Sequence, residues 1–311
     1  MEILVTGGAG YLGSVLVPRL LEAGHKVTVL DSLFYSQRSL LGVAGHPNFR
    51  FERGDARDEQ TLRTLLRSAD FIVPLAALVG APACEALPDL ASSLNLGAIE
   101  RLIRLRDPSQ GVVFPTTNSG YGTTSGEVYC TEETPLNPIS IYGRTKVAAE
   151  EALLEAGNAV TLRLATVFGV SPRMRLDLLV NTFVYEAVTR GYLMVYEKAY
   201  KRNYVHIADV ADCILFCLEH HDRMGDEAYN VGLDEANHSK ESLALLVKEQ
   251  VPKCAVFFSE TGKDPDQRNY IVSNAKLFEQ GFTATRSVQQ GITELLRAYR
   301  MLAIDTEFRN A

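Results

Sequence analysis

The sequence predicts an α/β fold built on a doubly wound parallel sheet, with a smaller C-terminal lobe. Strand-like runs alternate with helix-like stretches through the first half of the 311 residues. The strand-like runs are almost continuously apolar, which is typical of strands covered by helices on both faces. A glycine-rich loop joins the first strand to the first helix, and the regular alternation stops after about Pro172. This order of elements favours a parallel sheet with right-handed crossovers.

Six strands and four helices are predicted from the apolar runs and their periodicity in this first half. The strands are Ile3–Thr6, Lys26–Asp31, Phe49–Arg53, Phe71–Leu75, Val112–Pro115 and Val160–Leu164. The helices are Leu12–Ala23, Gln60–Arg67, Leu90–Arg106 and Pro138–Ala156. Farther along, the stretch from Tyr204 to Val231 has a turn–helix–strand pattern, and an amphipathic helix is expected near Val288–Tyr299.

The composition excludes several classes of function. Hydrophobic residues make up 46% of the chain, charged residues 22%, and the formal net charge is −7. No basic surface for nucleic acid is expected, and no apolar run is long enough to cross a membrane. The strand-like start at Met1 without a basic leader, and five cysteines without framework spacing, favour a cytoplasmic protein. Cys213 and Cys217 are interpreted as core residues, and no metal site is expected.

A glycine-rich loop runs from Val5 to Gly13 in the sequence VTGGAGYLG. Gly7 or Gly8 permits a tight turn, Gly10 lets the backbone approach a diphosphate, and Gly13 lets the helix pack close to the strand. The diphosphate of a dinucleotide is then expected at the helix N-terminus, where free N–H groups attract an anion. This strand–loop–helix context predicts a dinucleotide-binding domain of the Rossmann type.

Two acidic residues follow the next strands and fit the same interpretation. Asp31 ends the second predicted strand, where a carboxylate accepts hydrogen bonds from the adenosine ribose and repels a 2′-phosphate, which favours NAD over NADP. The alternative is that Asp31 is only a turn residue. Asp55 follows the third strand and is expected to meet the adenine amino group, or else to cap the next helix.

A tyrosine and a lysine are spaced for proton transfer on one helix face. Tyr142 and Lys146 lie four residues apart, so that they share a face of the predicted helix. We expect Asn137 to cap this helix and Pro138 to be its first residue. A tyrosine is a poor base at neutral pH, but a nearby lysine and a positively charged nicotinamide favour the phenolate. A tyrosinate of this kind removes a hydroxyl proton while a hydride leaves the same carbon.

A hydroxyl-rich segment follows the fifth strand, at the sheet edge where such folds bind ligands. It reads PTTNSGYG from Pro115 to Gly122. Thr117 is the candidate that hydrogen-bonds the reacting oxygen and shares its proton with Tyr142, and Ser119 is the second candidate. The alternative is an ordinary polar turn after a strand.

Taken together, the glycine loop, Asp31, Asp55, the Leu75–Ala77 run and the Tyr142–Lys146 pair resemble the extended short-chain dehydrogenase/reductases. That family contains nucleotide-sugar epimerases, dehydratases and related oxidoreductases, and the resemblance extends over nearly the whole chain. It implies a catalytic triad of Thr117, Tyr142 and Lys146, bound NAD, and a homodimer or larger homo-oligomer formed through the helices Leu90–Arg106 and Pro138–Ala156. The residues expected around NAD are Gly7, Gly10, Tyr11, Leu12, Gly13, Asp31, Asp55, Ala56, Leu75, Ala76, Ala77, Asn95, Tyr142 and Lys146.

The resemblance also implies a site for a nucleotide-diphosphate sugar. Asn181 corresponds to a substrate-binding asparagine of the family, and Ser119 is expected to face the sugar. Arg202 corresponds to an arginine that contacts the diphosphate, and Arg268 is expected to supply the second one, because forked guanidinium donors suit a diphosphate. His206 is expected to order its loop rather than to do chemistry. The implied lobes are an NAD-binding domain at 1–172, to which 204–231 returns, and a substrate lobe at 173–203 and 232–311.

Departures from the family pattern narrow the choice of reaction. In the 4,6-dehydratases of this family an Asp-Glu pair follows the catalytic threonine, whereas Asn118 and Ser119 stand here. Neither is a general acid near neutral pH, so dehydration is not expected. The runs Leu75–Pro82, Asn118–Gly122 and Val170–Asp177 resemble a subgroup whose members oxidise C4 of a GDP-activated heptose to a 4-keto sugar. The alternatives are a C4 epimerase with the same NAD and, more remotely, an NAD-sensing regulator without catalysis.

Overall fold

The computed structural model describes residues 1–260 and 268–302, in which strands and helices alternate. The strands are β1 (Glu2–Thr6), β2 (Lys26–Asp31), β3 (Phe49–Arg53), β4 (Phe71–Pro74), β5 (Gly111–Thr117), β6 (Tyr129–Cys130), β7 (Ala159–Leu164), β8 (Thr166–Phe168), β9 (Tyr192–Tyr196), β10 (Lys201–His206), β11 (Glu227–Val231), β12 (Asn237–Ser239), β13 (Ala255–Ser259) and β14 (Ile271–Val272). The α-helices are α1 (Gly13–Glu22), α2 (Glu59–Leu66), α3 (Ala81–Ala86), α4 (Pro88–Ser92), α5 (Ala98–Leu105), α6 (Ile141–Ala156), α7 (Leu179–Thr189), α8 (Ile207–Glu219), α9 (His221–Met224), α10 (Lys240–Gln250), α11 (Ala275–Glu279) and α12 (Val288–Ala298).

Seven strands form one parallel sheet in the order β3–β2–β1–β4–β5–β7–β11. All six strands predicted from the first half of the sequence lie in it, so the doubly wound parallel α/β prediction is confirmed. The strand order reverses between β1 and β4. A reversal of this kind opens a crevice at the carboxyl ends of the strands, where α/β sheets bind ligands. The other strands form three small sheets, β8–β10–β12, β9–β13 and β6–β14.

The central strands are apolar because helices cover both faces of the sheet. Every residue of β5 is buried. On one face, the apolar side chains of α1 and α8 pack on the sheet in a single cluster. On the other face, side chains of α2, α5 and α6 form a second cluster. Burial of this apolar surface, at roughly 25 cal/mol per Å2, is the main force that holds both layers against the sheet.

A separate apolar cluster lies in the C-terminal part of the described chain. It joins the buried faces of α7, α10 and α12 with the inward side chains of β9. The amphipathic spacing predicted for the last helix is present, because Ile292 and Leu295 of α12 are fully buried in this cluster. Strand β11 lies outside this cluster and adds to the main sheet beside β7.

Two helix predictions are wrong, one in where the helix begins and one in its continuity. The helix that carries the Tyr-Lys pair begins at Ile141, and Ser140 caps it by accepting a hydrogen bond from Gly143 N at 3.1 Å. Asn137 does not cap it, because it lies three residues before Ser140 in the preceding loop, where its N–H donates to Gly120 O at 2.8 Å. The predicted helix Leu90–Arg106 is divided into α4 and α5 by a π-helical turn over Ser93–Gly97.

No helix among residues 1–260 and 268–302 is long and apolar enough to span a membrane. Within the same part of the chain, no group of three or more His, Cys, Asp or Glu side chains has a metal-binding arrangement. All five cysteines are free thiols and are buried, including Cys213 and Cys217 on α8.

Candidate active site

The glycine loop between β1 and α1 forms a backbone cradle that has no room for side chains. Gly7 adopts a φ of +72°, and a Cβ there would lie 2.5 Å from Ala76 N. A Cβ on Gly13 would lie 2.4 Å from Gly8 O, so this glycine lets α1 begin directly against the loop. The helix has no acidic residue in its first turn, which leaves its N-terminus attractive to an anion. This cradle fits the diphosphate of a dinucleotide.

The carboxylate of Asp31 lies beside this cradle at the end of β2. Its Oδ2 accepts a hydrogen bond from Ala9 N at 2.9 Å, and its Oδ1 accepts one from Leu33 N at 2.8 Å. Burial raises the pKa of Asp31, while these two backbone donors lower it. Asp31 therefore forms a turn, which was the alternative interpretation of this residue. An ionised carboxylate has roughly four acceptor positions, so ribose hydroxyls can also bind it.

The side chain of Asp55 is held by an arginine. Arg57 Nε lies 3.0 Å from Asp55 Oδ1 and Arg57 Nη2 lies 2.6 Å from Asp55 Oδ2, in a forked ion pair that lowers the pKa of Asp55. The alternative role, capping the following helix, belongs instead to Asp58, which accepts a hydrogen bond from Gln60 N. The contact of Asp55 and the neighbouring Ala56 with adenine stays a prediction.

Asn95 fixes the backbone that follows β4. Its Oδ1 accepts a hydrogen bond from Leu78 N at 2.8 Å, and its Nδ2 donates to Leu78 O at 3.0 Å and to Thr145 Oγ1 at 3.3 Å. This amide lies in the π-helical turn, a distortion that is frequent at functional sites. It ties α6 to the loop that includes Leu75, Ala76 and Ala77, and Leu75 N in turn donates to Thr6 O at 2.8 Å. The predicted cofactor wall therefore rests on Asn95.

Three hydroxyl-bearing side chains meet at the carboxyl end of β5. Thr117 Oγ1 lies 2.8 Å from Ser119 Oγ, and it also accepts a hydrogen bond from Ser119 N at 3.1 Å. Thr117 also lies near the Tyr142 phenol and tends to lower the pKa of Tyr142. The two candidates from the PTTNSGYG segment are thus hydrogen-bonded to each other, and Thr117 lies near the predicted base.

Burial raises the pKa of Tyr142 above its ordinary value of 10.0. Arg175, Arg268 and Thr117 act in the opposite direction. Lys146 was expected to lower the pKa of Tyr142, but the two cations of the polypeptide that lower it are arginines. Arg175 had no predicted role. Its only sequence signal was its place in the SPRMRLD run after β8.

Lys146 is buried beneath the site and does not point into solvent. Its Nζ donates to Pro115 O at 2.7 Å and lies 3.8 Å from the centroid of the Phe114 ring. Burial lowers the pKa of Lys146 to about 7, although Glu150 raises it. The amine is thereby fixed on the strand that presents Thr117, one helical turn from Tyr142.

A buried ion pair continues this face of α6 and was missed by the sequence analysis. Glu150, one turn beyond Lys146, lies 2.7 Å from Arg163 Nη2 of β7. Arg163 Nη1 also donates to Tyr121 Oη at 3.2 Å, which in turn donates to Asn230 Oδ1 at 2.7 Å. The spacing of Tyr142, Lys146 and Glu150 can be read from the sequence. Arg163, the partner of Glu150, lies on a different element, β7, and this spacing does not indicate it.

A group of hydrogen bonds fastens the loop after β8 to the glycine loop. Tyr11 Oη donates to Gly169 O at 2.7 Å, and Ser171 Oγ donates to Tyr11 O at 2.7 Å and lies 2.9 Å from Ser14 Oγ. Asn181 accepts from Gly169 N at 3.1 Å and donates to Arg175 O at 2.9 Å. Asn181 is fully buried and orders this loop. Its contact with substrate, and those of Tyr11 and Leu12 with NAD, stay predictions.

Arg202 and Arg268, the two arginines predicted to bind the diphosphate, lie close to each other. Arg268 also lies close to the hydroxyl of Ser119. Burial lowers the pKa of Arg268, and the positive charge of Arg202 lowers it further, while Tyr270 and Tyr142 raise it. Arg268 Nη1 donates to Ser119 Oγ. Two neighbouring buried guanidinium groups repel each other, so an anion between them is favoured.

His206 has the ordering role that was expected of it. Its Nδ1 accepts a hydrogen bond from Ala208 N at 3.2 Å, so that the residue caps α8. Its Nε2 lies 2.7 Å from Glu294 Oε2 on α12. The side chain thus joins β10, α8 and α12.

Comparison with known proteins agrees with this architecture. Residues 3–232 match the model of the NAD dependent epimerase/dehydratase family. The chain is 31% identical to UDP-glucose 4-epimerase 1 of Oryza sativa subsp. japonica, over 89% of this chain and 88% of the relative. It also superposes on a UDP-glucose 4-epimerase of Thermus thermophilus in complex with NAD, at 26% identity and a TM-score of 0.83, covering 96% and 99% of the two chains. A dTDP-glucose 4,6-dehydratase of Streptomyces venezuelae with NAD bound gives 26% identity and a TM-score of 0.84, with 97% of each chain covered.

Proposed function

Since the chain belongs to the NAD dependent epimerase/dehydratase family, we propose that it oxidises C4 of a nucleotide-activated sugar with bound NAD. The observation that supports this proposal is the grouping of Thr117 and Ser119 at the end of β5, near Tyr142, the buried amine of Lys146 and the guanidinium group of Arg268. A proton acceptor and a diphosphate site thus adjoin each other, which is what a nucleotide-sugar oxidoreductase requires.

Several residues are proposed to hold the cofactor. Gly7, Gly10 and Gly13 give the diphosphate a close approach to backbone N–H groups, and Asp31 accepts from the adenosine ribose. Lys146 is proposed to bind the nicotinamide ribose side of the cofactor from below. When bound, NAD supplies a hydride acceptor beside the sugar carbon. The remaining positions proposed to line this pocket are Tyr11, Leu12, Asp55, Ala56, Leu75, Ala76, Ala77 and Asn95.

The proton moves on this chain's own side chains. Thr117 orients the C4 hydroxyl, and Tyr142 Oη takes its proton as the C4–H bond breaks and two electrons leave with the hydride. Burial raises the pKa of Tyr142, and the positive charges of Arg175 and Arg268 act against that rise and so favour the phenolate. The sugar becomes a 4-keto sugar, with its diphosphate held by Arg202 and Arg268.

Two outcomes for the hydride are proposed, and each has its own support. The relatives favour C4 epimerisation, in which the hydride returns to the opposite face of the keto sugar, since the rice relative is a UDP-glucose 4-epimerase. The TNSGYG and SPRMRLD runs favour the other outcome, a GDP-heptose 4-dehydrogenase that releases the keto sugar. Asn118 and Ser119 supply no acid for removing water.

The test uses protein purified with its cofactor retained. The enzyme is mixed with GDP-mannoheptose and with GDP-, UDP-, ADP- and dTDP-hexoses, while the NADH absorbance band and the proton NMR spectrum of the sugar are followed. A new C4 epimer without lasting NADH identifies an epimerase, whereas a 4-keto product with accumulating NADH identifies a dehydrogenase. If no sugar changes and no NADH forms, both proposals are wrong.

The variant Tyr142→Phe separates catalysis from a sensing role. We expect a loss of turnover of at least about 100-fold with NAD retained, because the phenolic proton acceptor is removed without a change in shape. Unchanged turnover would contradict the assignment of the base. NAD binding without turnover in the wild-type protein would favour the regulator.

We also propose that the protein is a cytoplasmic homodimer that pairs through α4, α5 and α6. Five buried free thiols support a reducing compartment. Sedimentation analysis of the purified protein measures the subunit number, and a strictly monomeric species would contradict the dimer.

A further inference from the structure

Asn118 is buried without a hydrogen-bond partner between Thr117 and Ser119, two residues of the proposed active site. Its side chain is 1% exposed, and neither Oδ1 nor Nδ2 has a partner. Within residues 1–260 and 268–302, it is the one amide side chain whose nitrogen and oxygen are both buried without a partner. Each unmade hydrogen bond of a buried polar group costs about 1–3 kcal/mol. A buried unpaired amide in a native protein calls for an explanation, and a ligand that supplies the missing partners is one.

The position of Asn118 indicates which ligand this is. The residue lies between Thr117 and Ser119, the two hydroxyls that are joined at the end of β5. Thr117 is in register with Leu164 of the neighbouring strand β7, and Thr166 follows two residues later. Thr166 Oγ1 is also buried without a partner. Unsatisfied groups therefore follow the carboxyl ends of two adjacent strands, beside the group of side chains that includes Tyr142.

The chemistry of these groups fits neutral hydroxyls. A primary amide offers two donors and an acceptor with no charge, and a sugar hydroxyl both donates and accepts. A diphosphate needs donors only, and Arg202 and Arg268 supply those from other elements. The amide is too weak an acid or base to move a proton at neutral pH, so recognition is its available role.

We propose that Asn118 is a specificity residue that binds a sugar hydroxyl near C4, on C3 or C6, donating through Nδ2 and accepting through Oδ1, with Thr166 as a second contact. This inference rests on the proposed function and assigns part of its substrate site. A site built to hydrogen-bond a hydroxyl rejects the analogue that lacks it, because its own polar groups are then left unpaired. Asn118 therefore selects sugars that carry this hydroxyl on C3 or C6.

The test compares Asn118→Leu, which keeps the size of the side chain and removes both polar groups, with the wild-type enzyme. The substrate is the nucleotide sugar of the panel above with the highest wild-type kcat/KM, together with its 3-deoxy and 6-deoxy forms. We expect kcat/KM to fall ten- to hundred-fold, the preference over one deoxy form to disappear, NAD content to stay unchanged, and the melting temperature of the protein not to fall.

Thr161→Val is the matched control. Thr161 Oγ1 is likewise buried without a partner, but it lies in the middle of β7. This variant should keep the wild-type kcat/KM and its deoxy-sugar preference. Asn118→Ala serves as a second variant should the leucine not fit.

Four results are distinguishable. The loss of deoxy-sugar discrimination in either Asn118 variant supports the proposal. Retention of kcat/KM within two-fold overturns it, and so does a loss of NAD, since the amide would then bind the cofactor. Absence of turnover in the wild-type enzyme instead contradicts the proposed function itself.

Discussion

The guanidinium group of Arg268 donates a hydrogen bond to the hydroxyl of Ser119. Ser119 Oγ lies 2.8 Å from Thr117 Oγ1, and Thr117 lies near Tyr142 and tends to lower its pKa. A side chain proposed to bind the substrate diphosphate is therefore connected through two hydroxyls to the proposed base. Diphosphate binding and proton transfer should for this reason depend on one another.

Arg268→Gln should raise KM for the nucleotide sugar ten- to hundred-fold and also lower kcat, because a charge-assisted hydrogen bond of about 1.5–3 kcal/mol and the contact with Ser119 are both lost. Arg202→Gln should raise KM with a smaller effect on kcat. Steady-state kinetics measure both. Arg190→Gln, which removes an exposed pair with Glu186, is the control. An Arg268 variant no worse than this control would contradict the coupling.

Gly7→Ala should abolish NAD retention, because a Cβ at this position would lie 2.5 Å from Ala76 N and displace the cradle. Gly24→Ala is the matched control, since Gly24 has a similar positive φ of +83° but no atom lies within 4 Å of the added carbon. That control should cost about 1–2 kcal/mol of stability from backbone strain and keep its NAD. The NAD content per protein is the measurement. Equal NAD content in both variants would show that the loop does not hold the cofactor.

Glu150→Gln should lower the free energy of unfolding by about 3 kcal/mol, because it leaves the buried charge of Arg163 without its counter-ion. The control is Glu186→Gln in the exposed helical pair with Arg190, where a loss of about 0.3–0.5 kcal/mol is expected. Urea unfolding of the two variants measures both values. A similar loss in both would mean that the buried pair contributes no more than a surface pair.

The stability of the protein should depend on pH through Lys146. Burial lowers the pKa of Lys146 to about 7 in the folded chain, from 10.5. Between these values the unfolded chain binds the proton that the folded chain has released, so raising the pH stabilises the fold, by at most about 1.4 kcal/mol per pH unit. Glu150, which faces the amine from the same helix, reduces this effect.

Lys146→Met should therefore remove a positive slope of stability against pH. We expect the difference in unfolding free energy between wild type and variant to change by about 1 kcal/mol per unit from pH 7.5 to 9.5. Urea unfolding at several pH values, on proteins matched for NAD content, measures it. Parallel curves for the two proteins would mean that the amine stays charged in the fold.

Two helices differ from the sequence prediction at points where they contact loops. Proline at a helix start favours Pro138, yet α6 begins at Ile141, because Asn137 N is bonded to Gly120 O and Ser140 makes the cap. Asn95, in the π-helical turn, hydrogen-bonds Leu78 and Thr145. Neither partner is local to the helix, so periodicity alone gave an uninterrupted element.

The sequence alone determined the parallel α/β sheet, the glycine cradle with Asp31, and the presence of Thr117, Tyr142 and Lys146 at one edge of the sheet. Those features depend on local chemistry: apolar runs, glycine conformation, and a four-residue spacing on one helix. Only the tertiary structure decided that Arg175 and Arg268, and not Lys146 alone, set the charge around Tyr142, and that Asn118 has no partner. Burial and long-range charge depend on which distant segments meet, and no local pattern specifies that.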